Sequence, residues 1–409
     1  MCPSYQVTME EEHTTRGRAR LFFEMVEGDV VRDGWRSDEV KQALELCLSC
    51  KGCKAECPVN VDMATYKAEF LAHHYRGRLR PRQAYSLGLI HRWAPLGALV
   101  PRLANFVTQQ PGLRAVAKWA AGMAQARAIP PFAHTTFRRH FQRSKNGRAG
   151  RGRRVILWPD TFNDHFLPET LQAAVDVLAG AHGEVVLPPK RLCCGRPLYD
   201  YGMLDLAKKL WTDVLDALEP DIEQGTPLVG IEPSCVAAFR DELPSLMAHD
   251  PRAGKLAKQT HLLEEYLMNE VAGYEPPRLG GRAIVQDHCQ GAAVMGTASQ
   301  EKLLRQMGLD FEVLDSGCCG MAGSFGYEAG KKHEVSVACA ERVLVPAVRG
   351  LDQDALVIAD GFSCREQIGQ LTGRDALHVA QVLQKAERRR THAGVRKGFP
   401  SCRPHGRTT

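Results

Sequence analysis

The chain has 409 residues, 44% apolar and 24% charged, with a net charge of +6. That length fits two or three domains with cores of ordinary size, so a minimal fold stapled by disulfides is excluded. No run of 18 apolar residues occurs, so no transmembrane helix is expected, and the basic runs at 138–154 and 385–407 come with no nucleic-acid recognition motif.

The N-terminus, MCPSYQVTMEEEHTT, is acidic and polar, unlike a signal peptide. A cytoplasmic location is expected, where thiols stay reduced, so fourteen cysteines point to metal or redox use. Apolar periodicity predicts helices over Thr15–Val26, Asp38–Leu48 with Ser37 as N-cap, and Asp62–Tyr75. Between the last two, Cys47, Cys50, Cys53 and Cys57-Pro58 spell C-x2-C-x2-C-x3-C-P, the bacterial ferredoxin run. Thiolates two residues apart wrap the chain around the irons of one [4Fe–4S] cube, and Gly52 lets backbone N–H groups approach sulfur. Lys51 and Lys54 are expected to place positive charge against that anionic group. Zinc sites pair two separated knuckles instead, which this compact run does not. The fourth cysteine of such a run usually serves a second cluster. Cys2-Pro3 reads as the end of another run, so either Cys2 or Cys57 completes the set of Cys47, Cys50 and Cys53. Residues 1–80 are therefore expected to form an α-helical ferredoxin-type domain truncated at its N-terminus.

Residues 81–154 read as a helical connector broken by Pro81, Pro95, Pro101, Pro111, Pro130 and Pro131, ending in a basic linker. Its helices either pack on neighbours or, through Trp93, Trp119 and the interleaved arginines, lie on a membrane surface. From 155 the chain repeats itself. VILW (155–158), a helix (168–179), VVL (185–187), Cys193-Cys194-Gly195, a helix (204–218), LVGI (228–231) and Cys235 form the first copy. AIV (283–285), a helix (299–307), EVL (312–314), Cys318-Cys319-Gly320, ALVIAD (355–360) and Cys364 form the second, at offsets of 125 to 129 residues. Alternating strands and helices predict two α/β repeats with parallel sheets, at 155–250 and 251–385, with a disordered basic tail at 386–409. The fold class is thus multidomain: a helical ferredoxin-type domain followed by two Cys-Cys-Gly (CCG) repeats. The cysteines fall just after strands, at the carboxyl ends where α/β sheets bind ligands. Cys289, Cys318, Cys319 and Cys364 suffice for a second iron–sulfur cluster. Cys193, Cys194 and Cys235 are weaker candidates, because the position matching Cys289 falls near Thr161. Cys339 reads as a buried small hydrophobe and Cys402 as an exposed thiol. No residue is assigned a catalytic role.

CLSCKGCKAECPVNVD (47–62), LCCGRPLYDYGMLD (192–205), EPSC (232–235), DSGCCGMAGSFGYE (315–328) and ADGFSCREQ (359–367) resemble the C-terminal iron–sulfur region of bacterial FAD/iron–sulfur D-2-hydroxyacid dehydrogenases, those of D-2-hydroxyglutarate type above all. The glycolate oxidase and anaerobic glycerol-3-phosphate dehydrogenase iron–sulfur subunits are similar but more distant. The resemblance implies FAD on a missing domain or partner, and electron flow through clusters to a quinone or other carrier. The location it implies is cytoplasmic, or peripheral at the inner face of the membrane. The family has His-Cys-His where this chain has His288-Cys289-Gln290. Heterodisulfide reductases share the CCG motif but close with C-x2-C; here those first positions are Glu232 and Gly361. A CCG-type enzyme reducing a disulfide or quinone at its own cluster is the alternative.

Overall fold

A computed structural model describes residues 2–144 and 152–397, with side chains as far as Arg390. Met1, residues 145–151 of the basic linker and the tail from 398, including Cys402, lie outside the described residues.

The N-terminal helices follow their caps. Thr14 accepts from the Gly17 N–H to start the helix Thr15–Glu27, Ser37 from Val40 to start Asp38–Glu45, and Asp62 from Thr65 to start Met63–His74. The second of these stops short of the expected Leu48. Leu46 and Leu48 leave the helix to bury themselves against Cys318 and Phe325 of the second repeat. The connector forms short helices at Arg82–Ser86, Ile90–Gly97, Pro101–Gln109 and Pro111–Ala121, two of them opening on proline at the first helical position.

Strands β1 (Arg154–Trp158), β2 (Glu184–Val186), β3 (Leu228–Gly230) and β4 (Thr260–Leu262) form a parallel sheet in the order β2-β1-β3-β4. Strands β5 (Arg282–Val285), β6 (Asp310–Val313) and β7 (Leu356–Ile358) form a second parallel sheet, β6-β5-β7. The central strand of each is covered on both faces, which is why its sequence is apolar without alternation. The first sheet does not end at 250 as expected: β4 pairs in register with β3, carrying that repeat to Leu262. In the second repeat an isolated parallel bridge from Ile358 to Leu377 stands in its place.

One apolar core spans both repeats. It joins Val155, Leu157 and Val229 of the first sheet to Ala283, Val285 and Ile358 of the second. Helix Pro168–Gly180 packs there against helix Val379–Lys397 through Leu171, Ala174 and Leu178 on one side and Val382, Leu383 and Ala386 on the other. The chain is therefore helical past the expected tail boundary at 386, because Ala386 belongs to the core. A second core surrounds Trp211, whose ring is fully buried and whose Nε1 donates to the Cys194 carbonyl at 2.7 Å.

Trp211→Ala removes a large buried ring and leaves that carbonyl without its donor. It is expected to cost about 3–5 kcal/mol, read as a lower urea midpoint, with Trp211→Phe losing less.

Candidate iron–sulfur site

The ferredoxin loop turns at two residues that are not glycine: Ser49 and Lys51 hold φ of 52° and 61°. That left-handed backbone brings the Gly52 N–H onto the sulfur of Cys50. Left-handed backbone at non-glycine residues costs of order 1 kcal/mol each and persists only where the surroundings fix it.

They do so here through one atom. The carbonyl of Ser49 accepts from Arg196 Nη2 at 3.1 Å, one residue beyond the first CCG, and from Gln290 Nε2 at 3.0 Å, one residue beyond Cys289. Arg196 also pairs with Glu242 and, at 3.2 Å, with Asp200. Lys51 does not face the cysteines. Its buried ammonium lies 2.9 Å from Asp62, 2.7 Å from Asp241 and 3.1 Å from Glu242, and Lys54 pairs with Asp241 at 2.5 Å. Burial opposes the charge on Lys51, but the three carboxylates outweigh it and raise its pKa. The expected role of Lys51 and Lys54 against the cluster is thus corrected: their charge is spent on carboxylates.

The cations that do face the cysteines are Arg18 and Lys67. Buried Arg18 donates to Cys2 Sγ at 3.2 Å, to Ser4 Oγ at 2.9 Å and to the Ala43 carbonyl at 2.8 Å. Burial works to raise the Cys2 thiol, but Arg18 and Ser4 bring it below its usual range. Lys67 donates to the Cys47 carbonyl at 2.5 Å, and burial lowers its pKa while the Cys47 charge partly restores it.

Cys50 feels the charges of Cys289, Cys2 and Cys47, and Cys53 those of Cys47 and Cys2. Cys57 stands apart: the backbone N–H groups of Val61, Val59 and Asn60 hold its thiol below the usual range, and no cysteine is among the groups shifting it. Cys50 is held well above the thiol range, first by burial and then by Cys289.

In the second repeat Cys289 starts the short helix Cys289–Val294, and its sulfur lies 3.8 Å from that of Cys318. Cys319 hydrogen-bonds to Cys318 and Cys364. The hydrogen bond to Cys318 and the nearby His288 bring Cys289 down to about 7 against the effect of burial. Gly320, at φ 84°, is required: a Cβ there would collide with the Ser336 carbonyl. Gly361 leaves room for the His288 ring, which a Cβ would strike. In the first repeat Cys235 Sγ lies 2.9 Å from Cys194 Sγ, and Cys193 hydrogen-bonds to Cys194 and Thr161. Thr161 opens the helix Thr161–His165 as Cys289 opens its own, so a hydroxyl stands where the second repeat has a thiol. Cys339 is 3% exposed, among apolar side chains.

The donor sets suit iron–sulfur groups. Buried thiols that crowd one another repel once ionised, so a whole set becomes thiolates together only against a positively charged centre. Among the described residues no three cysteine sulfurs lie mutually within 4.8 Å. A single zinc ion, with Zn–S of about 2.3 Å, needs a tighter set.

Residues 1–61 match the 4Fe-4S dicluster domain family, and residues 161–240 the cysteine-rich domain family. D-2-hydroxyglutarate dehydrogenase of Escherichia coli (strain K12) is 26% identical over 428 residues, covering 94% of this chain and 41% of the relative. A subunit of the anaerobic glycerol-3-phosphate dehydrogenase of the same organism is 26% identical over 291 residues, 69% of this chain and 72% of the relative. Lactate utilization protein A of Bacillus velezensis (strain DSM 23117 / BGSC 10A6 / LMG 26770 / FZB42) is 30% identical over 244 residues, 56% of this chain and 98% of the relative. The chain belongs to the cysteine-rich-domain iron–sulfur family that includes lactate utilization protein A. It spans about two fifths of the length of the D-2-hydroxyglutarate dehydrogenases it matches.

For this cysteine-rich-domain protein, sequence reasoning missed Arg18 and Lys67 at the site and met Glu232 and Gln290 only as departures from related motifs. Glu232 is buried between the repeats, accepting from the Phe362 N–H at 2.8 Å and lying 3.9 Å from His288 Nε2. The departure of Gln290 from the His-Cys-His pattern was visible, but not its bond to Ser49.

Lys51→Met leaves Asp62, Asp241 and Glu242 facing one another without their shared cation. It is expected to destabilise the protein by about 3–5 kcal/mol at neutral pH. Asp62 and Asp241 have folded pKa values below the usual carboxylate range: burial raises them, and Lys51 more than reverses it. Their contribution is present above the unfolded pKa near 4 and is lost as pH falls through the lower folded values. Thermal melts are therefore expected to show wild type losing stability on acidification, and the gap to Lys51→Met closing, since protonation relieves the variant's repulsion.

Proposed function

We propose that the chain is the electron-relay part of a flavin-dependent 2-hydroxyacid dehydrogenase of D-2-hydroxyglutarate, D-lactate or glycolate type. It takes electrons from reduced FAD on another domain or chain and passes them to an acceptor, a quinone or other carrier. The observation that carries this reading is the continuity of the sulfur sites. Cys50 of the ferredoxin run and Cys289 and Cys318 of the second repeat's set pack together in one buried cluster with Leu46 and Leu48. Cys2, Cys47, Cys50 and Cys53 would hold a [4Fe–4S] cluster. Cys289, Cys318, Cys319 and Cys364 would hold a second iron–sulfur group. Cys193, Cys194 and Cys235, with Thr161 in the fourth place, form a weaker set. When bound, such groups supply one-electron redox chemistry. The chain's own contribution is to fix the cysteine loop through Ser49, place Arg18 and Lys67 beside the thiolates, and exclude water. Among the described residues no helix is long and apolar enough to cross a membrane; peripheral contact through the connector belongs to this reading.

Iron and sulfide analysis of the reconstituted chain, with EPR after dithionite reduction, tests it. Cys47→Ala and Cys2→Ala are each expected to lose about one cluster's iron, Cys289→Ala the iron and signal of the other group, and Cys57→Ala little. A reconstituted chain with no iron would sink the proposal.

A cavity of 680 Å³ that reaches Cys194, Cys235 and Cys289 favours a second reading, an enzyme reducing a disulfide or quinone at its own cluster. That reading requires turnover with an artificial electron donor and no flavoprotein.

A further inference from the structure

Arg18 is a buried cation, 2% exposed, and none of its bonds goes to a carboxylate. Its guanidinium donates from Nε to the Ala43 carbonyl, from Nη1 to Cys2 Sγ and from Nη2 to Ser4 Oγ. Lys51 and Arg196, also buried, are by contrast neutralised by Asp62, Asp241 and Glu242 and by Glu242 and Asp200. A buried charge is costly unless an anion stands beside it. Two of the three acceptors of Arg18 are neutral oxygens. The third, the sulfur of Cys2, is the one that can carry charge.

The fold holds the guanidinium against that sulfur. Ala43 lies in the last turn of helix Asp38–Glu45, and its carbonyl is open because the Cys47 N–H, four residues on, goes to the Leu44 carbonyl instead. Ser4 is fully buried, and its hydroxyl also lies 3.2 Å from Cys2 Sγ. The segment carrying Cys2 is fixed in turn by the second repeat: Cys339 Sγ donates to the Pro3 carbonyl at 3.6 Å, and Arg342 to Gln6 Oε1 at 2.5 Å. Three directed bonds from one planar fork are a geometry that lysine cannot reproduce.

We propose that Arg18 is the counter-ion of the group held by Cys2, Cys47, Cys50 and Cys53, and that it raises the reduction potential of that group by acting through Cys2. Reduction adds a negative charge, and a fixed cation hydrogen-bonded to a ligand sulfur favours the reduced state. The inference deepens the relay reading and rests on it for Cys2 as a ligand. Arg18 is thus a positioning residue that tunes where electrons settle.

Potentiometric titration of the full reconstituted chain, followed by EPR at fixed pH, reads the midpoint potential of each group. Arg18→Gln is expected to keep the iron of the first cluster and lower its midpoint potential, with a smaller shift in the group at Cys289. Arg18→Lys, which keeps the charge without the fork, is expected to fall between wild type and Arg18→Gln. If Arg18→Gln fails to take up iron, Arg18→Lys and Ser4→Ala decide, since both keep the charge and loosen its hold on Cys2. A first-cluster potential below that of wild type in either one supports the assignment. An unchanged first-cluster potential in every Arg18 and Ser4 variant that loads, or equal shifts in both groups, would overturn it. Iron analysis of Cys2→Ala separates the two claims. Full iron there sinks the ligand set on which the inference rests. Lost iron there, with no shift in the loaded Arg18 variants, sinks the counter-ion alone.

Discussion

Glu242 sits between Arg196 and Lys51, and the position of the cysteine loop follows from that buried arrangement. Arg196 follows the first CCG and Lys51 lies inside the ferredoxin run, so one carboxylate ties the two motifs together. Removing a partner from a buried ionic group costs several kcal/mol, because the remaining charge has no water to turn to. The arrangement also fixes the Ser49 carbonyl, which would otherwise be free to relax out of its left-handed turn. The cluster loop is therefore positioned by the repeats more than by its own sequence.

This has a consequence for charge at the site. Lysines inside the ferredoxin run are drawn away by Asp62, Asp241 and Glu242, and cations from other helices take their place. Arg18 comes from the helix Thr15–Glu27 and Lys67 from Met63–His74. Both are buried, so their fields are screened less than those of exposed lysines would be.

Much of the fold could be read from the residues. The duplicated strand–CCG–strand pattern gave strands β1 to β3 and β5 to β7, because strands buried on both faces have apolar runs and the Cys-Cys-Gly turns mark where they end. The N-cap Ser37 announced its helix, while Asp62, read as the first helical residue, proved to be the cap of the next. β4 was not legible: THL is three residues with no periodicity, and only its pairing with β3 makes it a strand. The continuation of the last helix was hidden by its arginines, since the residues that hold it, Val382, Leu383 and Ala386, are few among charged neighbours. At the site, the cysteines were legible by spacing alone. Their supporting residues were not, since a glutamine bonding a carbonyl 241 residues away leaves no local signal.

The bond between Glu232 and the Phe362 N–H bears on how the two halves hold together. Gly361, which precedes the helix Phe362–Thr372, has no side chain to cap it, and the acceptor comes from the first repeat. In return, His378 of the second repeat reaches back to the Ile231 carbonyl at 2.8 Å. Each half thus completes hydrogen bonds that the other begins, across a single shared apolar core. The duplication has produced one cooperative folding unit, and a cut between the repeats would leave two fragments with exposed apolar faces and open helix ends.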